Sequence, residues 1–169
     1  MKNPAHFDAS LPVVLTVDEV LRENDEMVTL FCPRPGGDAA ERGLDLDAVQ
    51  PGQFVMLWIP RVDEKPYTIG YLDRERVGIT VHRRGPVSEQ LAGMQPGAKL
   101  GLRGPYGRPF WNLEEHGGSD RVALMGGGCG MATIGLLAEA LPEAHIVQGA
   151  RSERFLLYRN RFAVQIIFT

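Results

Sequence analysis

Along the first two thirds of the chain, apolar and polar residues alternate in short runs. Val13 to Val17, Glu26 to Phe31, Phe54 to Ile59, Tyr67 to Tyr71, Val77 to His82 and Lys99 to Leu102 each read as a strand, and Pro-Gly pairs at 35/36, 51/52 and 96/97 punctuate them. Six short strands without a long helix predict an antiparallel architecture, a six-stranded β-barrel or sandwich over residues 11–112 behind an N-terminal arm of residues 1–10. One short helix breaks the series at Pro86 to Gly93, with proline at its start and glycine at its end. Residues 113–120, polar and glycine-bearing, read as a linker. From Arg121 the period changes to strand, helix, strand, helix, strand: Arg121 to Met125, Met131 to Leu141, His145 to Gln148, Ser152 to Phe162 and Ala163 to Thr169. That order opens a parallel α/β domain over 121–169, which stops after its third strand.

Composition narrows the class. Glycine and proline are frequent, 20 and 12 of 169 residues, which fits a loop-rich folded protein. Lys and Arg number 18 against 21 Asp and Glu, a net charge of -3, so no broad basic surface is available to neutralise nucleic-acid phosphates. The N-terminus carries no apolar signal region and no stretch of about 20 apolar residues occurs, so a secreted or membrane-spanning chain is not expected, nor a membrane among its partners, and the small number of cysteines fits a reducing cytoplasm. The two cysteines, Cys32 and Cys129, are too few for a disulfide framework or a four-thiolate cluster. Cys32 reads as a small core residue, and Phe54 and Trp58 as core residues of their strand. The acidic residues Asp38, Glu41, Asp45 and Asp47 read as a solvated loop. The four histidines are scattered without ligand spacing, so no metal site is expected. No Ser-His-Asp or paired-carboxylate set is legible, hence no catalytic residue is assigned.

The most informative stretch is Gly126-Gly127-Gly128-Cys129-Gly130, where a strand ends and a helix begins. Glycines there let a pyrophosphate approach the backbone, and the helix start offers free N–H groups. The alternative is a tight structural turn. Thr133 stands where the third glycine of G-x-G-x-x-G would fall, and no acidic residue sits cleanly at the end of the second parallel strand. Lys65-Pro66-Tyr67-Thr68 heads the fourth strand with a cation, a flat aromatic ring and a hydroxyl, suited to a phosphate and a planar cofactor, or simply to an ordinary strand start. Gly85-Pro86-Val87-Ser88 opens the short helix, and Gly104-Pro105-Tyr106-Gly107 follows the sixth strand. Each of these has a plain reading as a helix cap or turn.

The order of these motifs, beginning with Pro51-Gly52-Gln53-Phe54, resembles the ferredoxin-NADP reductase superfamily, a flavin-binding barrel followed by a nicotinamide-nucleotide domain. Within it, Phe54 to Pro60 followed by Val62 to Pro66, with Gly149-Ala150-Arg151-Ser152 after the second parallel strand, resembles the electron-transfer subunit of NAD-linked dihydroorotate dehydrogenase in its archaeal form. The resemblance implies that Lys65, Pro66, Tyr67 and Thr68 contact FAD, Thr68 near the flavin ring and Lys65 toward the pyrophosphate. Gly85, Val87 and Ser88 would donate to that pyrophosphate. Ile79, Val81 and His82 would line the cofactor's flank, and Gly104, Tyr106 and Gly107 would lie against it. Gly126, Gly127, Gly128, Cys129 and Gly130 would carry NAD(P)H, with Cys129 near the hydride path. Arg151 and Ser152 suit a 2′-phosphate, whereas the resemblance leans toward NADH.

The implied function is to take a hydride from NAD(P)H onto FAD and pass electrons to a separate catalytic dihydroorotate dehydrogenase subunit, in a hetero-oligomer serving pyrimidine biosynthesis. The alternatives are another electron-transfer subunit of the superfamily, serving a ferredoxin:NADP reductase, hydrogenase or sulfide dehydrogenase, or a redox-inactive barrel that serves as a binding module. In the family a cysteine cluster holds a [2Fe-2S] centre, and its cysteines are absent from this sequence. The expectation is therefore a truncated form in which Arg121 to Met125 is an unpaired sheet edge and NAD(P)H oxidation is poor.

Overall fold

A computed structural model describes residues 11–110, 122–162 and 164–168. The expected arm over 1–10, the linker over 113–120 and Arg121 lie outside the described residues. The antiparallel part runs β1 (Val13–Thr16), β2 (Glu19–Arg22), β3 (Met27–Pro33), β4 (Phe54–Ile59), β5 (Asp63–Leu72), β6 (Arg76–His82), α1 (Pro86–Ala92) and β7 (Lys99–Tyr106). The parallel part runs β8 (Ala123–Gly127), α2 (Gly130–Ala140), β9 (His145–Ala150) and β10 (Val164–Phe168).

The antiparallel sheet has seven strands in the order β1-β7-β4-β5-β6-β3-β2, where the alternation predicts six. The extra strand is β2, an edge strand with mostly exposed side chains and therefore no inward stripe to betray it. The sheet curls around one core. Val13 and Leu15 of β1, Val28 and Leu30 of β3, Val55 and Leu57 of β4, Val77, Ile79 and Val81 of β6, and Leu100 and Leu102 of β7 all pack in a single cluster. Cys32 lies in that cluster, as expected. Phe54 and Trp58 do not. In β4 the buried residues are Val55, Leu57 and Ile59, and the period of two turns Phe54, Met56 and Trp58 to the other face, where they are half-buried.

Pairing along β5 is uneven, and this opens the wall of the curled sheet. From Asp63 to Thr68 it pairs with β4, up to Thr68↔Phe54. Its register with β6 runs only from Ile69↔Ile79 to Leu72↔Val77, with a bulge between. Beyond that, Thr80, Val81 and His82 pair with Thr29, Val28 and Met27 of β3 on their other side. The head of β5 and the end of β6 therefore face each other without a shared ladder.

In the parallel part the order is β10-β9-β8, with β9 central. The edge position expected for the first of these strands is the one β8 takes among the described strands. Leu124, Met131, Leu137, Ala138 and Ile146 form a second core that also includes Met27 of β3. The helix expected over 152–162 is absent. Only Glu153–Phe155 makes a single 3-10 turn, after which Leu156 is extended and Tyr158 has φ +58°. Leu156, Leu157 and Tyr158 are buried consecutively, wider than the single stripe of a surface helix, and the Asn24 side-chain amide donates to the carbonyls of Phe155 and Leu156.

Candidate nucleotide and cofactor site

The two sheets meet in a cleft of ≈ 430 Å³. One wall comes from the curled antiparallel sheet and its loops, with Glu26, Met27, His82 and Arg84; the other comes from the strand ends of the parallel sheet and the loops after them, with Gly127, Gly128, Cys129, Gly149, Ala150, Arg151 and Phe155. The crevice at the carboxyl ends of parallel strands is where open α/β sheets take ligands. Of these residues, Gly127, Gly128, Cys129 and His82 were expected from the sequence, whereas Glu26, Met27, Arg84 and Phe155 were not.

The glycines divide into two kinds. Gly126 has an internal reason: a Cβ there would come within 3.0 Å of Met131 Cα and 3.1 Å of its N. Gly128 has another, since its φ is +50° and its N–H donates to the Gly149 carbonyl at 2.8 Å. Gly127, Gly130, Gly149 and Gly85 have neither. A Cβ at each of them would meet nothing within 4 Å, and none has a φ in the left-handed region. The tight structural turn thus accounts for two glycines of the loop and leaves Gly127, Gly130 and Gly149 unexplained by this chain's own packing. Gly104 and Gly107 belong with the explained kind. Their Cβ atoms would reach 3.2 Å from the Tyr106 ring and 3.1 Å from the Phe54 ring.

At the head of β5, Tyr67 and Thr68 are half-buried beside the opening in the sheet wall, while Lys65 and Pro66 are exposed. Burial raises the Tyr67 phenol above its usual range. Lys65 Nζ pairs with Asp63 at 2.6 Å. Thr68, Phe54 and Tyr106 lie in one cross-strand row, the two rings 5.8 Å apart between centroids. Arg103 fixes this corner by donating to both Glu64 oxygens, at 2.6 and 2.5 Å, and to the Tyr106 hydroxyl at 2.9 Å. Ile79 and Val81 turn their side chains into the core of the curled sheet, 2% and 0% exposed, so what they present to the opening is main chain. On the loop beyond β6, Ser88 Oγ accepts from the N–H groups of Arg84 and Gly85, at 2.8 and 3.0 Å, and donates to the Gly85 carbonyl at 3.0 Å. Its hydroxyl is spent on shaping the turn, whereas the Val87 and Ser88 N–H groups lie in the first helical turn, where no intrahelical acceptor exists.

Glu26 organises the cleft's charges. It accepts from Arg151 at 2.7 Å and from His82 Nε2 at 3.0 Å, with Arg84 at 3.7 Å. Hydrogen bonding from His82 and then Arg151 holds its carboxyl below the usual range. Arg151 also lies over the Phe155 ring, 4.4 Å from its centroid. Cys129 is exposed in the same cleft. Among the described residues no group of His, Cys, Asp and Glu is placed to hold a metal, and no helix is long and apolar enough to cross a membrane.

The two walls are held in place by close contacts elsewhere. Tyr158 Oη hydrogen-bonds Thr80 Oγ1 at 2.6 Å, and Thr80 hydrogen-bonds Thr29 at 2.8 Å. Gly70 on β5 and Gly135 on α2 make room: a Cβ on Gly70 would collide with Tyr158 Oη, and one on Gly135 would lie 3.0 Å from the Gly70 carbonyl. Arg161 closes the contact by donating to that carbonyl at 2.8 Å and to Glu139 at 2.6 Å.

A curled antiparallel sheet followed by a parallel α/β unit, with a cleft between them, is the fold of the ferredoxin-NADP reductase superfamily. Among solved structures, an NADH-dependent reduced ferredoxin-NADP oxidoreductase superposes with TM-score 0.73 at 22% identity, covering 93% of this chain and 57% of that one. Phthalate dioxygenase reductase superposes with TM-score 0.71 at 16% identity, covering 93% and 51%. No protein-family profile matches the chain. By sequence the similarity is closer and more particular. The chain is 35% identical over 154 residues to a probable dihydroorotate dehydrogenase B (NAD(+)) electron transfer subunit of Thermoplasma acidophilum, covering 91% of this chain and 54% of that protein. It is 45% identical over 132 residues to the protein of the same name from Methanothermobacter thermautotrophicus, covering 77% and 44%. The chain is thus a relative of these electron-transfer subunits, and it spans about half the length of the curated relatives it matches.

Proposed function

We propose that the chain is the FAD- and nicotinamide-nucleotide-binding part of an electron-transfer subunit that takes a hydride from NAD(P)H and delivers electrons to a catalytic dihydroorotate dehydrogenase subunit. The observation that carries the reading is the set of open glycines. Gly127 and Gly149 on the cleft, with Gly130 beside it, keep bare backbone where neither the fold nor the backbone angle requires it. A pyrophosphate is the group such a surface at a helix start accommodates.

FAD fits the opening beside β5. Tyr67 and Thr68 would hold its ring, the main chain of Ile79 and Val81 would line its flank, and the Val87 and Ser88 N–H groups behind open Gly85 would take its phosphates. When bound, FAD supplies hydride acceptance and one-electron delivery. The chain's own contribution is to orient: the Arg103–Glu64–Tyr106 contacts fix the corner beside Thr68, and the cleft would hold the nucleotide. An iron-sulfur centre does not fit the cysteines of this sequence. Cys32 is buried in the barrel core and Cys129 is exposed in the cleft, so no electron step is assigned to one.

The absorption spectrum of the purified chain tests the reading. Flavin bands are expected, and replacing Tyr67 and Thr68 together by alanine should strip the flavin while leaving the far-ultraviolet circular dichroism unchanged. A colourless parent protein would favour a redox-inactive module, and stoichiometric flavin in the double variant would remove the assigned site.

A further inference from the structure

In dinucleotide-binding α/β folds the adenosine ribose lies at the carboxyl end of the second parallel strand. An acidic side chain there accepts from the ribose hydroxyls of NAD, and an arginine there receives the extra 2′-phosphate of NADP. The second parallel strand here is β9, and it ends in Gly149-Ala150-Arg151-Ser152 with no acid among the four. By sequence this is an NADP-like ending. Glu153, the next residue, pairs with Arg159 and lies in a separate groove with Ser152 and Arg154, outside the cleft.

The structure puts a carboxylate at this strand end by another route. Glu26 arrives from the barrel, 125 positions away along the chain, and its Oε1 accepts from Arg151 at 2.7 Å. The same carboxylate engages His82 and lies 3.7 Å from Arg84, so the cleft's two arginines share one counter-ion. Any dianion at this rim has to draw Arg151 away from Glu26 and then sit beside the carboxylate left behind, whereas a ribose hydroxyl can donate to it.

We propose that Glu26 is the coenzyme-selecting residue of this cleft, supplying from the barrel the acid missing from the end of β9 and setting the preference for NADH over NADPH. This rests on the nucleotide reading of the cleft given above. Glu26 is a specificity residue, and it takes no part in the hydride step.

The test uses the full chain titrated by calorimetry with 5′-ADP and with 2′,5′-ADP, fragments that differ only in the discriminating phosphate. The parent should bind 5′-ADP at least about tenfold more tightly than 2′,5′-ADP. In Glu26→Gln the affinity for 5′-ADP should fall, by up to about tenfold, as the charged acceptor for the ribose hydroxyls is lost, while that for 2′,5′-ADP rises about tenfold or more. Adding Arg151→Ala to that variant should abolish the gain, since the released arginine is what receives the phosphate. Glu26→Asp, which keeps the charge, should keep the discrimination. Equal affinity of the parent for both fragments would overturn the proposal, as would an unchanged ratio in Glu26→Gln. A parent that binds neither fragment would instead refute the nucleotide reading of the cleft, and the proposal with it.

Discussion

The distinction between explained and unexplained glycines can be tested by adding one methyl group at a time. Gly126→Ala places a Cβ 3.0 Å from Met131 Cα and 3.1 Å from its N, in the first turn of α2. The Met131 sulfur can swing away, but its backbone cannot move without shifting the helix, so overpacking should cost about 1–3 kcal/mol. Gly127→Ala and Gly149→Ala meet nothing within 4 Å and need no left-handed backbone, so the methyl only narrows the unfolded ensemble, a gain of about 0.4–1 kcal/mol. For a chain of this size 1 kcal/mol moves Tm by about 2–4 °C. The melts should therefore diverge in sign, with Gly126→Ala below the parent and the other two level with it or above. Binding should rank differently. Gly127→Val, on the cleft wall, should weaken NADH by about tenfold or more in a fluorescence titration, because the branched side chain fills the space a pyrophosphate enters. If Gly127→Ala and Gly149→Ala lose as much Tm as Gly126→Ala, their glycines are structural after all. If Gly127→Val binds NADH like the parent, the bare surface is not a phosphate cradle.

Two further outcomes follow from groups whose environment is fixed. Cys32 is 2% exposed and burial pushes its thiol up to about 12, whereas Cys129 is exposed, so a chromogenic disulfide reagent should titrate one thiol in the native chain and two in denaturant. NADH should slow the native one, and two fast native thiols would contradict the placement of Cys32. Glu64 is held below the usual carboxyl range by Arg103, so its stabilising contribution is complete above the unfolded pKa of about 4.3 and is lost as pH falls through the lower folded value. Glu64→Gln should therefore be less stable than the parent at pH 7, with the gap narrowing toward pH 3; a gap independent of pH would assign the effect to packing instead.

Most of the fold was legible because a half-buried strand advertises its inner face. Val55, Leu57 and Ile59 alternate with residues on the outer face, and the β4 boundaries expected from that pattern are the observed ones. The pattern gives the period but not which phase faces inward when both phases are apolar, and this is why Phe54 and Trp58 look like core residues when they are not. The pattern is also silent where a strand has no inner face, as with β2. The segment after β9 misleads for the opposite reason. Its apolar content has the density of a helix, but Leu156, Leu157 and Tyr158 are all buried, and Asn24 takes the carbonyls a helix would use. Asn24 is 131 residues from Phe155 in sequence, so that competition cannot be read locally.

The candidate site was half legible for a related reason. Glycine-rich loops declare themselves by composition, and of Gly126 to Gly130 the structure brings Gly127, Gly128 and Cys129 to the cleft. Of the opposite wall only His82 was expected: Glu26 and Arg84 are ordinary hairpin and loop residues until the sheets meet. What brings them in is the outer face of β3 and β6. The period of two puts Met27 and Thr29 on that face of β3, and Thr80 and His82 on that face of β6. Met27 and His82 line the cleft, while Thr29 and Thr80, one step along the same face, join the hydroxyl chain that ends on Tyr158. One face of two adjacent strands thus both docks the parallel sheet and forms the wall it docks against. The Tyr158 contact ties the parallel unit to the same two strands that carry the cleft wall, through residues that are not themselves among the cleft lining.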